Sequence, residues 1–146
     1  MPMFRPDEER AVREHLAGLT RAVELALVLG PEEQPVPGAR EIDFSGEARR
    51  LLEELVALGG GRLTFTVHED GAGRFGVERF PAICVLPEAT DPGVRYYGLP
   101  WGYELTSILG ACVEAGRVES SLTPDSRSAL AGLTGDVSID VFVTPT

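Results

Sequence analysis

The sequence contains no lysine and no asparagine, and Gln34 is its only glutamine. All 13 basic residues are therefore arginine, against 23 acidic residues, which gives a formal net charge of -10. Because lysine and asparagine codons are rich in adenine, this composition indicates a GC-rich genome, and the scarcity of amide side chains is typical of a thermophile. The negative charge would repel a phosphate backbone or an anionic lipid surface, so we expect neither nucleic acid nor membrane as a partner.

Signals for export, for membrane insertion and for metal or cofactor binding are also missing. The N-terminal stretch "MPMFRPDEERAVREHL" has no apolar segment flanked by positive charge, and no apolar run approaches membrane-spanning length. We therefore expect a cytoplasmic protein whose two cysteines are reduced thiols. His15 and His68 fall on different elements, and "GAGRFG" lacks the strand-to-helix context of a phosphate loop, so we predict no metal site and no cofactor.

The hydrophobic pattern of the 146 residues predicts one domain that alternates helices with short strands. Helices are expected at "RPDEERAVREHLAGL", at "GEARRLLEELVAL" with Ser45 as its cap, from Pro100 to Ala115, and at "PDSRSALAGL" with Thr123 as its cap. Strands are expected at "VELALVLG", "RLTFTVH", Ala82 to Leu86, "VRYYG" and "VSIDVFVTPT". The middle six elements, β-α-β followed by β-β-α, fit one four-stranded mixed sheet flanked by helices.

This element order resembles the thioredoxin/glutaredoxin fold, and "RFPAICVLP" strengthens the likeness. In that fold a proline after a cis peptide bond opens the third core strand beside the redox site. Pro81, preceded by Phe80, stands at that position, so the resemblance implies a cis Phe80–Pro81 bond. The expected fold class is thus α/β of thioredoxin/glutaredoxin type, with an extra N-terminal helix and a C-terminal helix-strand extension.

Two further stretches, "GVRYYGLPWGYEL" and "LTPDSRSALAGLTGDVSIDVFVTP", resemble the protein disulfide oxidoreductases, also called glutaredoxin-like proteins. These are tandem thioredoxin-fold proteins, and the alkyl hydroperoxide reductase flavoprotein carries a related tandem. The resemblance implies a thioredoxin-like domain at 1–120, and a linker helix with the first strand of a second unit at 121–146. In the family that strand leads at once into a Cys-x-x-Cys motif, so we expect the reactive pair to lie beyond Thr146.

The first unit should carry its own dithiol between the first strand and the second helix, yet "GPEEQPVPGAREIDFS" contains no cysteine. Its Glu32, Glu33 and Glu41 would also disfavour a thiolate. The resemblance therefore implies the non-catalytic scaffold half of a thiol–disulfide exchange protein. The alternative is a thioredoxin-fold binding or dimerisation module without redox chemistry.

The two cysteines fall on apolar stretches, Cys84 within a strand and Cys112 on the apolar stripe of a helix. Free cysteine is among the most buried residue types, so core packing is favoured over a reactive or regulatory role. Because the helix that carries Cys112 packs on the sheet in this fold, contact between the two thiols is an open alternative.

The candidate substrate-binding residues are Phe80, Pro81 and Trp101, which would contact a peptide or protein client. Trp101 and Tyr103 are alternatively partly buried packing residues. The strand from Val137 to Val143 has a β-branched face that needs a cover. We expect the missing second unit to supply that cover, or else a homodimer or this chain's own sheet.

Overall fold

The computed structural model describes residues 2–31 and 43–143. Its helices and strands follow the predicted order, except that there is one additional short helix and that the predicted last strand is absent from the described residues. The helices are α1 (Pro6–Leu16), α2 (Phe44–Leu58), α3 (Ala72–Phe75), α4 (Tyr103–Ala115) and α5 (Pro124–Ala131). The strands are β1 (Val23–Val28), β2 (Leu63–His68), β3 (Ala82–Pro87) and β4 (Arg95–Tyr97).

The four strands form one mixed sheet in the order β2-β1-β3-β4. β1 and β2 are parallel, joined through α2, whereas β3 is antiparallel to both β1 and β4. Val28 pairs with both His68 and Ala82, and Ala82 pairs in turn with Tyr97. The carboxyl ends of β1, β2 and β4 and the amino end of β3 therefore meet at one end of the sheet. The predicted fold class, a four-stranded mixed sheet flanked by helices, is confirmed.

The two faces of the sheet have different covers. One face packs leucine-rich strands against α1, α2 and α4. We call it the leucine face; its strand residues include Leu25, Leu27, Ile83 and Val85. The opposite face, which we call the small-residue face, consists of Ala26, Val28, Ala82, Cys84 and Leu86 and is covered by Phe75, Val77 and α3.

Helix caps explain where several elements begin. Pro6 opens α1, as expected, with acidic residues in the first turn. Thr123 caps α5 by accepting a hydrogen bond from the Ser126 N–H, which confirms that prediction. The prediction of Ser45 as the cap of α2 is wrong, because Asp43 occupies the capping position and its Oδ1 accepts from the Gly46 N–H at 2.8 Å.

The predicted terminal strand is not formed. Residues 137–143 are extended, exposed and without a strand partner in the described part of the chain. A strand is defined by hydrogen bonds to a neighbouring strand, and none is within reach of this segment. The alternative in which it folds against this chain's own sheet is therefore wrong.

Candidate functional site at the aromatic end of the sheet

Phe80 and Pro81 lie where the strands converge, immediately before β3. The Phe80–Pro81 peptide bond is cis, as the resemblance implied. Pro81 is buried, and its carbonyl accepts a hydrogen bond from the Gly98 N–H at 2.8 Å. Phe80 is half-buried, with its ring directly over Gly30, at the end of β1. A Cβ atom at position 30 would collide with the ring carbons of Phe80, so this close packing depends on glycine.

Trp101 lies at the same end of the sheet, in the connection between β4 and α4. Its ring stacks on Phe4 with centroids 6.5 Å apart, and it remains 45% exposed. Tyr103, at the start of α4, is 84% exposed. The partly buried packing role therefore fits Trp101 and is wrong for Tyr103, because α4 turns the Tyr103 side chain away from the core.

Two more aromatic side chains border this region, and sequence reasoning did not single them out. Phe44 opens α2 and is 43% exposed, and Tyr97 ends β4 and is 42% exposed. Topology places both at the end of the sheet where β1 and β4 stop. We define the aromatic end as these exposed or half-buried side chains together: Phe44, Phe80, Tyr97, Trp101 and Tyr103.

The N-terminal segment holds Trp101 in place. The backbone N–H of Met3 donates to both carboxylate oxygens of Glu54 on α2, at 2.7 and 2.9 Å. This bond fixes the following residue, Phe4, which is buried in the leucine-face core and stacks on Trp101. The segment before α1 thus links α2 to the connection that presents the aromatic end.

The two cysteines are buried on opposite faces of the sheet. Cys84 lies in the small-residue cluster and Cys112 in the leucine-face core, so the alternative of contact between the thiols is wrong. Burial raises the pKa of Cys84 to about 11 and the pKa of Cys112 to about 12. Both groups are protonated at neutral pH and shielded from solvent, which supports core packing over a reactive role.

Arg95 connects β4 to α3 above Cys84, a feature that sequence reasoning missed. Its Nε and Nη2 donate to the Phe75 carbonyl at 3.0 and 2.8 Å, and the guanidinium also binds the Asp91 carboxylate. The Arg95 hydrogen bond lowers the pKa of Asp91. The sequence signal that could have indicated this bridge is Arg95 itself, a charged residue in a predicted strand. In the structure Arg95 pairs with Cys84 across β3 and β4.

No three metal-binding side chains converge within residues 2–31 and 43–143. The ring of His68 bonds Thr66 at 2.9 Å and packs edge-on against Phe75. Glu32, Glu33 and Glu41 lie outside the described residues. No helix in the described part of the chain is long and apolar enough to cross a membrane.

The segment after α4 is exposed throughout. Every residue from 117 to 143 is exposed, including α5, and we call this segment the exposed arm. Its large apolar side chains are Val118, Leu122, Leu130, Leu133, Val137, Ile139, Val141, Phe142 and Val143. So many exposed apolar side chains in one continuous segment mark an interaction surface.

No protein-family model matches the chain. The alkyl hydroperoxide reductase protein AhpF of Pseudomonas aeruginosa is 27% identical over 119 residues, which cover 82% of this chain and 22% of that protein. The corresponding protein of Xanthomonas campestris pv. phaseoli is 28% identical over 112 residues, covering 75% of this chain and 20% of that protein. The chain thus spans about a fifth of the length of the curated relatives it matches.

Two solved structures share the fold. The alkyl hydroperoxide reductase protein AhpF of Enterococcus faecalis has a TM-score of 0.71 at 20% identity, covering 89% of this chain and 61% of its own. A protein disulfide oxidoreductase from Aeropyrum pernix has a TM-score of 0.70 at 25% identity, covering 90% of this chain and 56% of its own. This chain is therefore similar over most of its length to part of AhpF and to an archaeal protein disulfide oxidoreductase, and it shares its thioredoxin-like fold with the N-terminal domain of AhpF. Its own sequence has no vicinal cysteine pair.

Proposed function

We propose that this chain is the non-catalytic, scaffold unit of a cytoplasmic thiol–disulfide exchange protein. The observation that carries the proposal is the position of its sulfur atoms, because the only two thiols are buried on opposite faces of the sheet. In dithiol exchange a thiolate attacks the substrate disulfide and forms a mixed disulfide. A neighbouring thiol then resolves it, so the substrate gains two electrons and the protein becomes a disulfide. Neither Cys84 nor Cys112 has a second thiol within reach.

The catalytic dithiol would then belong to a second thioredoxin-like unit. The solved relatives are longer than this chain, which covers 61% and 56% of the two. The exposed arm is suited to pack against a second unit, because its apolar side chains have no cover in the described part of the chain. The scaffold's contribution would be to bury one side of the active unit and to extend its substrate groove with Phe80, Pro81 and Trp101.

Insulin reduction tests the catalytic part of the proposal. We expect no turnover above the dithiothreitol background for the 146-residue chain, and no change for Cys84→Ser or Cys112→Ser. Turnover that Cys84→Ser or Cys112→Ser abolishes would contradict the proposal, because it would assign chemistry to a buried thiol.

The other part of the proposal, that a second unit carries the dithiol, is tested by the genomic sequence after the codon for Thr146. We expect a Cys-x-x-Cys motif immediately downstream. The longer product should reduce insulin faster than the isolated downstream unit, while both reduce a small disulfide equally. A downstream sequence without cysteine would remove the scaffold role.

The second candidate function is a binding or dimerisation module that keeps the fold without redox chemistry. The exposed arm also favours this candidate, since the Val137–Val143 segment could pair with the same segment of a second copy. Light scattering separates the two candidates, because Ile139→Glu would convert a dimer of this chain into a monomer. If the parent chain is already a monomer, the dimerisation candidate is wrong and the scaffold role remains.

A further inference from the structure

The aromatic end holds five of the ten aromatic residues of the chain, and four of them are well exposed. Its Tyr97 belongs to β4, the outermost strand, and pairs with Ala82 of the small-residue face. The Gly98 N–H holds the connection that carries Trp101 against Pro81. An edge strand beside exposed aromatic rings is suited to an extended peptide, which can pair with the strand and place side chains on the rings.

The charges around the aromatic end are mainly negative. Five carboxylate residues of the described part of the chain lie at this end of the molecule, in the segments that enter and leave the strands; they are Asp43, Glu69, Asp70, Glu78 and Glu104. The described arginines of the same segments are Arg74 and Arg79. Glu104 is close enough to the Tyr96 hydroxyl to raise the pKa of that tyrosine, after burial as the larger cause. The aromatic rings are thus bordered by carboxylates that can accept hydrogen bonds from a cationic side chain.

We propose that the aromatic end binds an extended peptide segment in which arginine or lysine alternates with apolar side chains. The guanidinium or ammonium groups would stack on Trp101 and Tyr103 while Glu104 and its neighbours accept their hydrogen bonds. This identification of the client class rests on the proposed function, in which this end of the molecule contacts the client.

Other occupants fit the same surface less well. An acidic peptide would meet five carboxylates, and a second copy of this chain would be repelled because each copy carries a formal net charge of -10. The aromatic rings provide the affinity and the carboxylates provide the selection between basic and acidic clients.

Trp101 is the only tryptophan, so its fluorescence reports directly on this surface. The probes are three peptides of about twelve residues without tryptophan or tyrosine, identical in their valine and leucine content and carrying arginine, glutamine or glutamate at alternate positions. We expect saturable quenching or a spectral shift with the arginine peptide and about tenfold weaker binding of the glutamine peptide. The glutamate peptide should give no saturable change. Raising the salt concentration to about 0.5 M should weaken arginine-peptide binding about fivefold, because the charges are exposed.

Paired variants distinguish specific binding at this surface from nonspecific binding elsewhere on the chain. Tyr103→Ala should weaken arginine-peptide binding about fivefold, and Glu104→Gln about threefold. The controls are Phe142→Ala, an aromatic residue of similar exposure on the exposed arm, and Glu119→Gln, an exposed carboxylate beyond the far end of α4. Both controls should leave the affinity unchanged, and far-UV circular dichroism should show the same fold for all four variants.

Equal affinity for the arginine and glutamate peptides, or arginine-peptide binding that Tyr103→Ala does not change, would overturn the inference. Binding of none of the peptides would also overturn it. These results would leave the proposed function standing, because that is tested by insulin reduction and by the sequence after Thr146. Conversely, selective binding of the arginine peptide by a chain with no downstream cysteine motif would support the binding site while removing the scaffold role.

Discussion

Both faces of the sheet are buried, but the layers that cover them differ in size. The leucine face carries large aliphatic side chains beneath three helices, whereas the small-residue face carries alanine, valine and cysteine, with Leu86 as its one large residue, beneath one four-residue helix. A short helix cannot fill a deep gap, so the strand residues below it must be small for the two layers to meet. The size of the cover and the size of the strand side chains therefore change together, and on the small-residue face Arg95 bonds the end of the covering helix.

The largest expected effect tests the two faces on one strand. Leu27 and Val28 are adjacent, fully buried and on opposite faces. Leu27→Ala should lower the free energy of unfolding by about 3 kcal/mol, because it leaves a cavity in the leucine face. Val28→Ala removes less volume under a thinner cover and should cost about 2 kcal/mol. Urea unfolding measures both, and equal losses would contradict the contrast between the faces.

The next effect concerns Arg95, which holds α3 over Cys84. Arg95→Ala should cost about 1 to 2 kcal/mol, since it removes hydrogen bonds from a charged donor. It should also raise the rate of Cys84 labelling by iodoacetamide about tenfold, because local opening of α3 becomes easier. Peptide mapping by mass spectrometry separates Cys84 from Cys112, whose labelling should not change. Arg50→Ala, which removes an exposed ion pair on α2, is the matched control. Equal acceleration at both cysteines would indicate global unfolding instead.

A smaller effect tests the cap of α2, one of the helices that cover the leucine face. Asp43→Ala should cost about 1 kcal/mol, because the Gly46 N–H loses its acceptor. Ser45→Ala should change the free energy of unfolding by less than about 0.5 kcal/mol, because Ser45 lies inside the helix and does not cap it. A larger loss for Ser45→Ala than for Asp43→Ala would restore the sequence-based assignment.

At neutral pH the smallest effect is that of the buried thiols, whose influence on stability begins only above about pH 8.5. The pKa of each thiol is raised by burial, to about 11 for Cys84 and about 12 for Cys112. In the unfolded chain these thiols lose their protons near the ordinary thiol value of about 8.5. The unfolded state therefore binds fewer protons above that pH, and the stability that is full below it falls as the pH rises toward 11 and 12. Thermal melting between about pH 8 and 11 should show a shallower decline for Cys112→Ala than for the parent chain. An unchanged slope would show that Cys112 ionises normally when folded.

The sequence was sufficient to predict the element order, the sheet and the opening of α1, because these follow from local periodicity and from proline chemistry. It was not sufficient for α3. A four-residue helix has no periodic signal, and the bridge from Arg95 to the Phe75 carbonyl is a contact between distant parts of the chain. The prediction of the terminal strand was wrong for a related reason. Val137 to Val143 have the composition of a strand, but the described structure offers no strand with which they could pair.

The position of the cysteines was more predictable than sequence reasoning recognised. Successive residues of a strand point to opposite faces, and Ile83 and Val85 face α4. Cys84 therefore points away from Cys112, which excludes the contact between the thiols that the sequence left open. For the candidate site, the resemblance suggested Phe80, Pro81 and Trp101, which remain a prediction. Phe44 and Tyr97 could be added only from the structure, because they lie far apart in sequence and meet at one end of the folded sheet.

The ring of Phe80 over Gly30 also constrains how sulfur chemistry could return to this unit. Any side chain at position 30 would overlap that ring, so a reactive group placed there requires a smaller residue at position 80 beforehand. A thiol introduced at position 30 should therefore leave the fold intact only together with a smaller residue at position 80.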